Sequence, residues 1–172
     1  SHILKNEILL EKYQTQIPNF NFRMSNLSAG AIRPQIKDLD ASIASYNEKY
    51  TSLVSLIKDS PYIKIPQRHK KLLIAADSIQ FNLVGMDEEL IKRFQKLCLG
   101  RNVRIEIFGL AKNNARCFWN WHFLEAEERG KCKKTRDILS TTCDFRLRRF
   151  FTERDVKDIA SAMLEVLAEV NC

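Results

Sequence analysis

Two short stretches of this chain hold side chains that could do chemistry together. The first is Arg116-Cys117-Phe118-Trp119-Asn120-Trp121-His122-Phe123, which places both tryptophans beside an arginine and a histidine. Aromatic faces accept sugars and nucleotide bases, and a guanidinium grips phosphate or carboxylate through two parallel hydrogen bonds. Arg116, Trp119, Trp121 and His122 are therefore candidate substrate-binding residues. The same composition also suits a buried aromatic plug, and a single histidine is more often packed or solvated than catalytic. The second stretch is Asn21-Phe22-Arg23-Met24-Ser25-Asn26-Leu27. The Asn21 amide can donate to a phosphate oxygen without adding a charge, and Arg23 can pair with phosphate or carboxylate. Against this, asparagine also shapes loops through its own backbone, and Arg23 could equally serve a structural ion pair.

Several chemistries are disfavoured by what the chain contains. Its five cysteines, Cys98, Cys117, Cys132, Cys143 and Cys172, include no Cys-x-x-Cys pair, so neither a zinc site nor a disulfide scaffold is expected. Reduced thiols in a cytoplasmic protein are the simplest account. With only five glycines there is no Gly-x-Gly-x-x-Gly and no Walker-type loop. A phosphate would have to be held by side chains, helix ends or another polypeptide.

The net charge is +7, and the basic residues gather in Arg68-His69-Lys70-Lys71, Arg129 to Lys134 and Arg146 to Arg149. Such short clusters usually form a solvated surface, although they are compatible with an anionic ligand or an acidic partner. Hydrophobic residues make up 45% and charged residues 28%, the balance of an ordinary globular domain. No apolar run reaches the roughly 20 residues that span a bilayer, and the first residues lack a signal-peptide layout.

The elements that must position these residues follow from periodicity. Ile3 to Gln16 has a helical pattern that Ile17-Pro18-Asn19 ends. Ser25 is the expected cap of a long helix with Ile36, Leu39, Ile43, Tyr46, Tyr50, Leu53 and Leu56 on one side, kinked or split at Pro34. Tyr62–Ile65, Ser78–Val84, Val103–Ile107 and Cys143–Leu147 are the strand candidates. Asp87 should cap a helix that Gly100 closes, and Thr135–Thr141 should form a short one. Gly109 to Phe123 reads as irregular. Thr152-Glu153-Arg154-Asp155 has the form of a capping box opening a last helix with Val156, Ile159, Ala160, Met163, Leu164, Leu167 and Val170 inward. Helices alternating with short strands predict an α/β (α+β) fold, a small sheet covered by helices. The domain division expected is a connecting segment with a helix over 1–24 and a small domain over 25–172.

The Asn21-to-Leu27 block, followed by Ala31 and Gln35-Ile36-Lys37-Asp38-Leu39-Asp40, resembles a signature of the DegT/DnrJ/EryC1/StrS aminotransferases. Ser78–Leu83, Val103–Gly109, Cys143–Leu147 and Phe151–Val156 then fall in that family's order, so the resemblance covers about residues 19 to 170. It implies the small carboxyl-terminal domain of a fold-type-I enzyme that uses pyridoxal phosphate to convert a keto-sugar to an amino-sugar, with an amino acid as donor. It further implies that Asn21, with Arg23 beside it, reaches the cofactor phosphate of a neighbouring subunit, and that the loop with Arg116, Trp119, Trp121 and His122 approaches the sugar or nucleotide-sugar substrate. The aromatic loop departs from the proline-containing form frequent in the family.

In such enzymes the lysine that carries the cofactor lies upstream of the asparagine block. Lys5 and Lys12 do not have the surroundings of that lysine. The expectation is therefore a chain with no catalytic residue of its own, completed by an amino-terminal half and a second copy in a two-fold assembly. Two other readings stay open: a non-catalytic remnant that dimerises or binds a partner, and a basic nucleic-acid-binding module. The second has no recognisable motif, and its aromatics are clustered instead of spread across a sheet.

Overall fold

A computed structural model describes residues 24–69, 71–111 and 114–172. The helix expected over Ile3–Gln16 and most of the 1–24 segment lie outside the described residues.

The chain enters through α1 (Asn26–Ile32), a 3-10 segment (Arg33–Asp38) and α2 (Leu39–Ile57). Ser25 caps α1, its hydroxyl accepting the Ser28 N–H at 3.1 Å. Pro34 stands at the start of the 3-10 turn and splits the helical run, as a residue without an N–H must. Then follow β1 (Ile63–Lys64), β2 (Ser78–Leu83), α3 (Glu88–Gly100), β3 (Glu106–Ile107), α4 (Ala126–Lys131), α5 (Lys133–Ser140), β4 (Thr142–Arg146) and α6 (Glu153–Val170). The strands form one antiparallel sheet in the order β1-β2-β4-β3.

Register separates the two faces of the sheet. Ile79 opposes Phe145 and Phe81 opposes Cys143, while Ile107 meets Cys143 from the other edge. These side chains are buried and share one core with Leu53 and Ile57 of α2, Phe94 and Cys98 of α3, and Met163 and Leu167 of α6. The other face carries the alternate positions, where Gln80 opposes Asp144 and Asn82 opposes Thr142. There the Asn82 amide donates to the Ile138 carbonyl at 2.8 Å and tethers the end of α5 to the sheet. Asn47 does similar work on α2: its amide donates to the Ile74 carbonyl at 2.7 Å and its oxygen accepts the Ala76 N–H at 3.1 Å. Both arms of one side chain thereby hold the long β1–β2 connection.

Three sequence expectations are corrected. Gly100 is the last residue of α3 and not its left-handed stop; that role falls to Asn102, at φ 61°. The Asn102 N–H bonds the Leu99 carbonyl at 2.9 Å and the Val103 N–H bonds Cys98 at 2.9 Å, the double closure of a helix end that needs a left-handed residue. Asparagine tolerates that conformation better than most side chains.

The strand expected over Val103–Ile107 pairs only at Glu106 and Ile107. Continuing the ladder would set Arg104 opposite Arg146, and like charges facing across strands are unfavourable.

The apolar side of α2 is also shifted. Ile57 is buried where Leu56 was expected, and Ile36 and Leu39 are 60% and 52% exposed. The 3-10 segment has about three residues per turn, so the stripe drifts off the core face ahead of α2.

The capping box of α6 is present. The Thr152 hydroxyl accepts the Asp155 N–H at 3.2 Å, and the Asp155 carboxylate accepts the Thr152 N–H at 2.6 Å. The Thr152 N–H and, at 2.7 Å, the Thr152 hydroxyl both donate to the Asp155 carboxylate and hold it below its ordinary 3.8. A depressed carboxylate stabilises the fold above its unfolded pKa and loses that contribution as pH falls through the folded one. Thr152→Ala should cost about 1 kcal/mol at neutral pH, read as a lowered denaturation midpoint. The difference from the parent should narrow in acid.

Candidate functional site

The irregular stretch between β3 and α4 is a built loop. Leaving β3, the chain turns through Phe108–Leu110, and a second 3-10 turn covers Phe118–Asn120. Cys117 anchors its centre: the thiol is fully buried and donates to the Phe108 carbonyl at 3.2 Å. Burial pushes its pKa above the ordinary thiol value. Asn120 donates to the Asn114 carbonyl at 3.0 Å, and Asn114 to the Glu106 carboxylate at 3.3 Å. The loop is thus pinned to the β3 edge by polar contacts.

The four candidate substrate residues of this loop are arranged as follows. The Arg116 guanidinium lies over the Phe108 ring, 4.7 Å from its centroid. Trp119 is half-buried, meets Phe118 edge to face at 5.3 Å, and carries the Arg136 guanidinium at 5.0 Å. Trp121 donates its indole N–H to the Ala115 carbonyl at 2.6 Å and stacks on Phe123 at 5.6 Å. His122 is exposed and makes no side-chain hydrogen bond among the described residues. The loop, with Arg136 of α5 packed on it, therefore gathers two guanidinium groups and two indoles. The indole N–H of Trp121 is already committed to the backbone, which leaves ring faces and Arg116 and Arg136 for recognition. Arg136 was not singled out from sequence. Its signal was only a basic residue in a short helix, and nothing local marks it as the partner of a tryptophan 17 positions earlier.

Asn21 and Arg23, the candidate cofactor-phosphate residues, lie outside the described residues. No lysine among the described residues is buried. A lysine that holds a carbonyl cofactor is normally desolvated to lower its pKa. All five cysteines are free thiols, with Cys98, Cys117 and Cys143 buried and Cys132 and Cys172 exposed. Burial pushes the Cys98 thiol up to about 12.

Comparison with known proteins settles the family. The sequence model of the DegT/DnrJ/EryC1/StrS aminotransferase family matches residues 3–164. The chain belongs to this family. No curated protein matches it by sequence.

Solved structures share the fold of this DegT/DnrJ/EryC1/StrS member at low identity. 3-Amino-5-hydroxybenzoic acid synthase matches at 15% identity and TM-score 0.65, over 97% of this chain and 48% of its own. PseC of Helicobacter pylori, an aminotransferase of pseudoaminic acid biosynthesis, matches at 11% and TM-score 0.68, over 98% and 47%. A putative sugar aminotransferase of Streptococcus pneumoniae matches at 9% and TM-score 0.69, over 98% and 46%. The chain spans a little under half the length of each. Its small antiparallel sheet with helices is the fold common to them. No helix among the described residues is long and apolar enough to cross a membrane.

Proposed function

We propose that this chain is the carboxyl-terminal portion of a pyridoxal-phosphate-dependent sugar aminotransferase of the cytoplasm, with an amino acid as nitrogen donor. The family match over residues 3–164, joined to coverage of just under half of each neighbour, carries the reading. When bound, pyridoxal phosphate supplies the electron sink for moving an amino group. The lysine that holds it belongs to an amino-terminal portion, on this polypeptide or another. The division proposed for the chain is a connecting segment over 1–24 and the small domain over 25–172.

Within this reading the chain binds and orients. Asn21 donates to the cofactor phosphate across a two-fold interface, with Arg23 beside it. Arg116, Trp119, Trp121 and His122 border the sugar or nucleotide-sugar substrate, the ring faces excluding water and Arg116 taking an anionic group. The entry arm supports a partner. Met24, Leu27, Ile32, Ile36 and Leu39 are all exposed within 16 residues, at 62%, 85%, 44%, 60% and 52%. So dense an apolar row is rarely left to water. It suits burial against the amino-terminal portion and a second copy.

The test supplies the amino-terminal portion, fused or co-expressed, and follows sizing, cofactor absorbance and transamination of a keto-sugar nucleotide. A two-fold assembly with activity is expected. Asn21→Ala should then lower cofactor retention by roughly 2 kcal/mol, about thirtyfold in affinity, with an unchanged unfolding midpoint of the small domain. A variant that keeps its cofactor through dialysis as tightly as the parent would remove Asn21 from the phosphate site. A monomer that ignores the added portion would favour the non-catalytic reading.

A further inference from the structure

β1 and β2 are neighbours in the sheet, yet the chain uses residues 65–77 to pass from one to the other. The described residues of this connection include no helix or strand. Adjacent antiparallel strands need only a few residues between them, and long structureless connections usually serve a function. The far end is fixed, because Asn47 holds Ile74 and Ala76. The near end is weighted by Arg68, whose guanidinium lies 4.5 Å from the Tyr50 ring centroid. Between them the chain makes a turn: the Leu72 N–H donates to the His69 carbonyl at 3.0 Å, and the Lys71 N–H to the His69 Nδ1 at 3.3 Å.

That turn presents Leu72 and Leu73 to solvent, at 62% and 102% exposure, directly after Arg68-His69-Lys70-Lys71. No acid occurs from Ser60 to Ala76, whereas Lys64, Arg68, Lys70 and Lys71 all do. Lys64, Arg68 and Lys71 are exposed and pair with no carboxylate among the described residues. Asp77, which ends the stretch, is taken by Arg146 at 2.7 Å. Connectivity keeps the leucines and the cations together, since residues 68–73 span at most about 20 Å even when extended.

Bare leucines beside unpaired cations fit a surface that is negative outside and apolar beneath. An anionic bilayer has that profile: leucines reach the boundary of headgroups and acyl chains while the cationic heads stay with the headgroups. A nucleic acid would leave the leucines in water, and residues 63–77 hold no phenylalanine, tyrosine or tryptophan on which a base could stack. A protein would need a pocket matched to both leucines, whereas a bilayer accepts them without matching their shape.

We propose that the β1–β2 connection docks the chain reversibly on an anionic phospholipid surface, with Leu72 and Leu73 inserted and the basic residues before them on the headgroups. Docking of this kind needs no spanning helix. It stands on this connection alone and does not depend on the aminotransferase reading. Each cation near such a surface strengthens binding roughly fivefold, and each inserted leucine about tenfold.

Sedimentation with vesicles tests it, comparing phosphatidylcholine alone with equal parts phosphatidylcholine and phosphatidylserine. The chain should pellet with the mixed vesicles only, and less as salt is raised. Leu72→Asn with Leu73→Asn keeps the net charge and removes no buried side chain, so the fold should be kept; binding should fall about a hundredfold. Lys71→Glu should weaken binding at least tenfold, whereas Lys134→Glu, the same charge change on exposed α5, should weaken it far less. Failure to bind the mixed vesicles would overturn the proposal and leave a protein surface as the partner of the leucines. Binding that ignores the leucine substitutions, or that falls equally with Lys71→Glu and Lys134→Glu, would reduce it to adsorption by net charge and overturn it too. The chain joined to an amino-terminal portion should bind the same vesicles; loss of binding there would make that portion the occupant of the loop instead.

Discussion

Phe81→Ala should destabilise the fold by about 3–5 kcal/mol, the range for truncating a fully buried aromatic side chain. Phe81 is 0% exposed in the middle of β2, directly opposite Cys143, and the sheet core meets all three long helices around it. The replacement removes the whole ring, and the flanking Ile79 and Leu83 are themselves fixed by strand pairing, so the space has little means of closing. For a chain of this size each kcal/mol moves the melting temperature by roughly 2–4 °C, so a fall of about 10 °C is expected. Phe81→Leu should lose much less, because most of the volume is kept. Urea midpoints should fall in the same order with an unchanged slope. A Phe81→Ala protein that melts within 2 or 3 °C of the parent would mean that β2 does not pack as described.

The strength of that expectation reflects how legible β2 was. Ile79, Phe81 and Leu83 alternate with Ser78, Gln80 and Asn82, and a period of two on a half-covered sheet has only one reading. The caps were equally plain, because Ser25, Asp87 and Thr152 each precede an apolar helical run by one turn or less. What failed depended on tertiary context. Gly100 looked like a helix stop by type, yet the left-handed turn came two residues later at Asn102, where the chain must reverse toward β3. Val103–Ile107 alternates well, but its pairing stops at Glu106, where one more step outward on that face would set Arg104 against Arg146, a residue far along the chain. Leu56 and Ile57 were interchangeable by composition, and the 3-10 turn that rephases the stripe was marked only by Pro34.

The candidate site was legible in its residue types but not in its contacts. The concentration of Trp119 and Trp121 beside Arg116 could be seen in the sequence, whereas the cation over Trp119 comes from Arg136 on α5. Nor did sequence distinguish the arginines of the Arg146–Arg149 cluster. They read as one solvated patch, yet Arg146 pairs with Asp77 and Asp144 while Arg148 is exposed with no ion-pair partner among the described residues. Pairing of this kind depends on strand register, which a run of basic residues does not encode.

The aromatic loop and α5 meet at Gly109, and Gly109→Ala should separate them. A Cβ built there would lie 2.5 Å from the Ser140 Cα and 2.8 Å from its carbonyl oxygen. Both are backbone atoms at the end of α5, which the Asn82 amide holds to β2 through the Ile138 carbonyl. Neither side can yield cheaply, so a shift of the loop or of α5 by an ångström or more is required. Overpacking of this kind costs typically 1–3 kcal/mol, and the backbone contact places this case near about 3 kcal/mol. The consequence for the site follows from connectivity. Gly109 leads into the loop that bears Trp119, and α5 bears Arg136, whose guanidinium sits 5.0 Å over the Trp119 ring. Moving the two apart should break that contact before it unfolds the sheet. Tryptophan fluorescence should therefore change at temperatures where the far-ultraviolet circular dichroism is still native, with the melting temperature lowered by about 6–12 °C. Arg136→Met provides the control, since it removes the cation from Trp119 without touching the Gly109–Ser140 contact. It should reproduce the fluorescence change with little loss of stability. If Gly109→Ala melts like the parent and leaves the emission unaltered, the close approach of the loop to α5 is wrong.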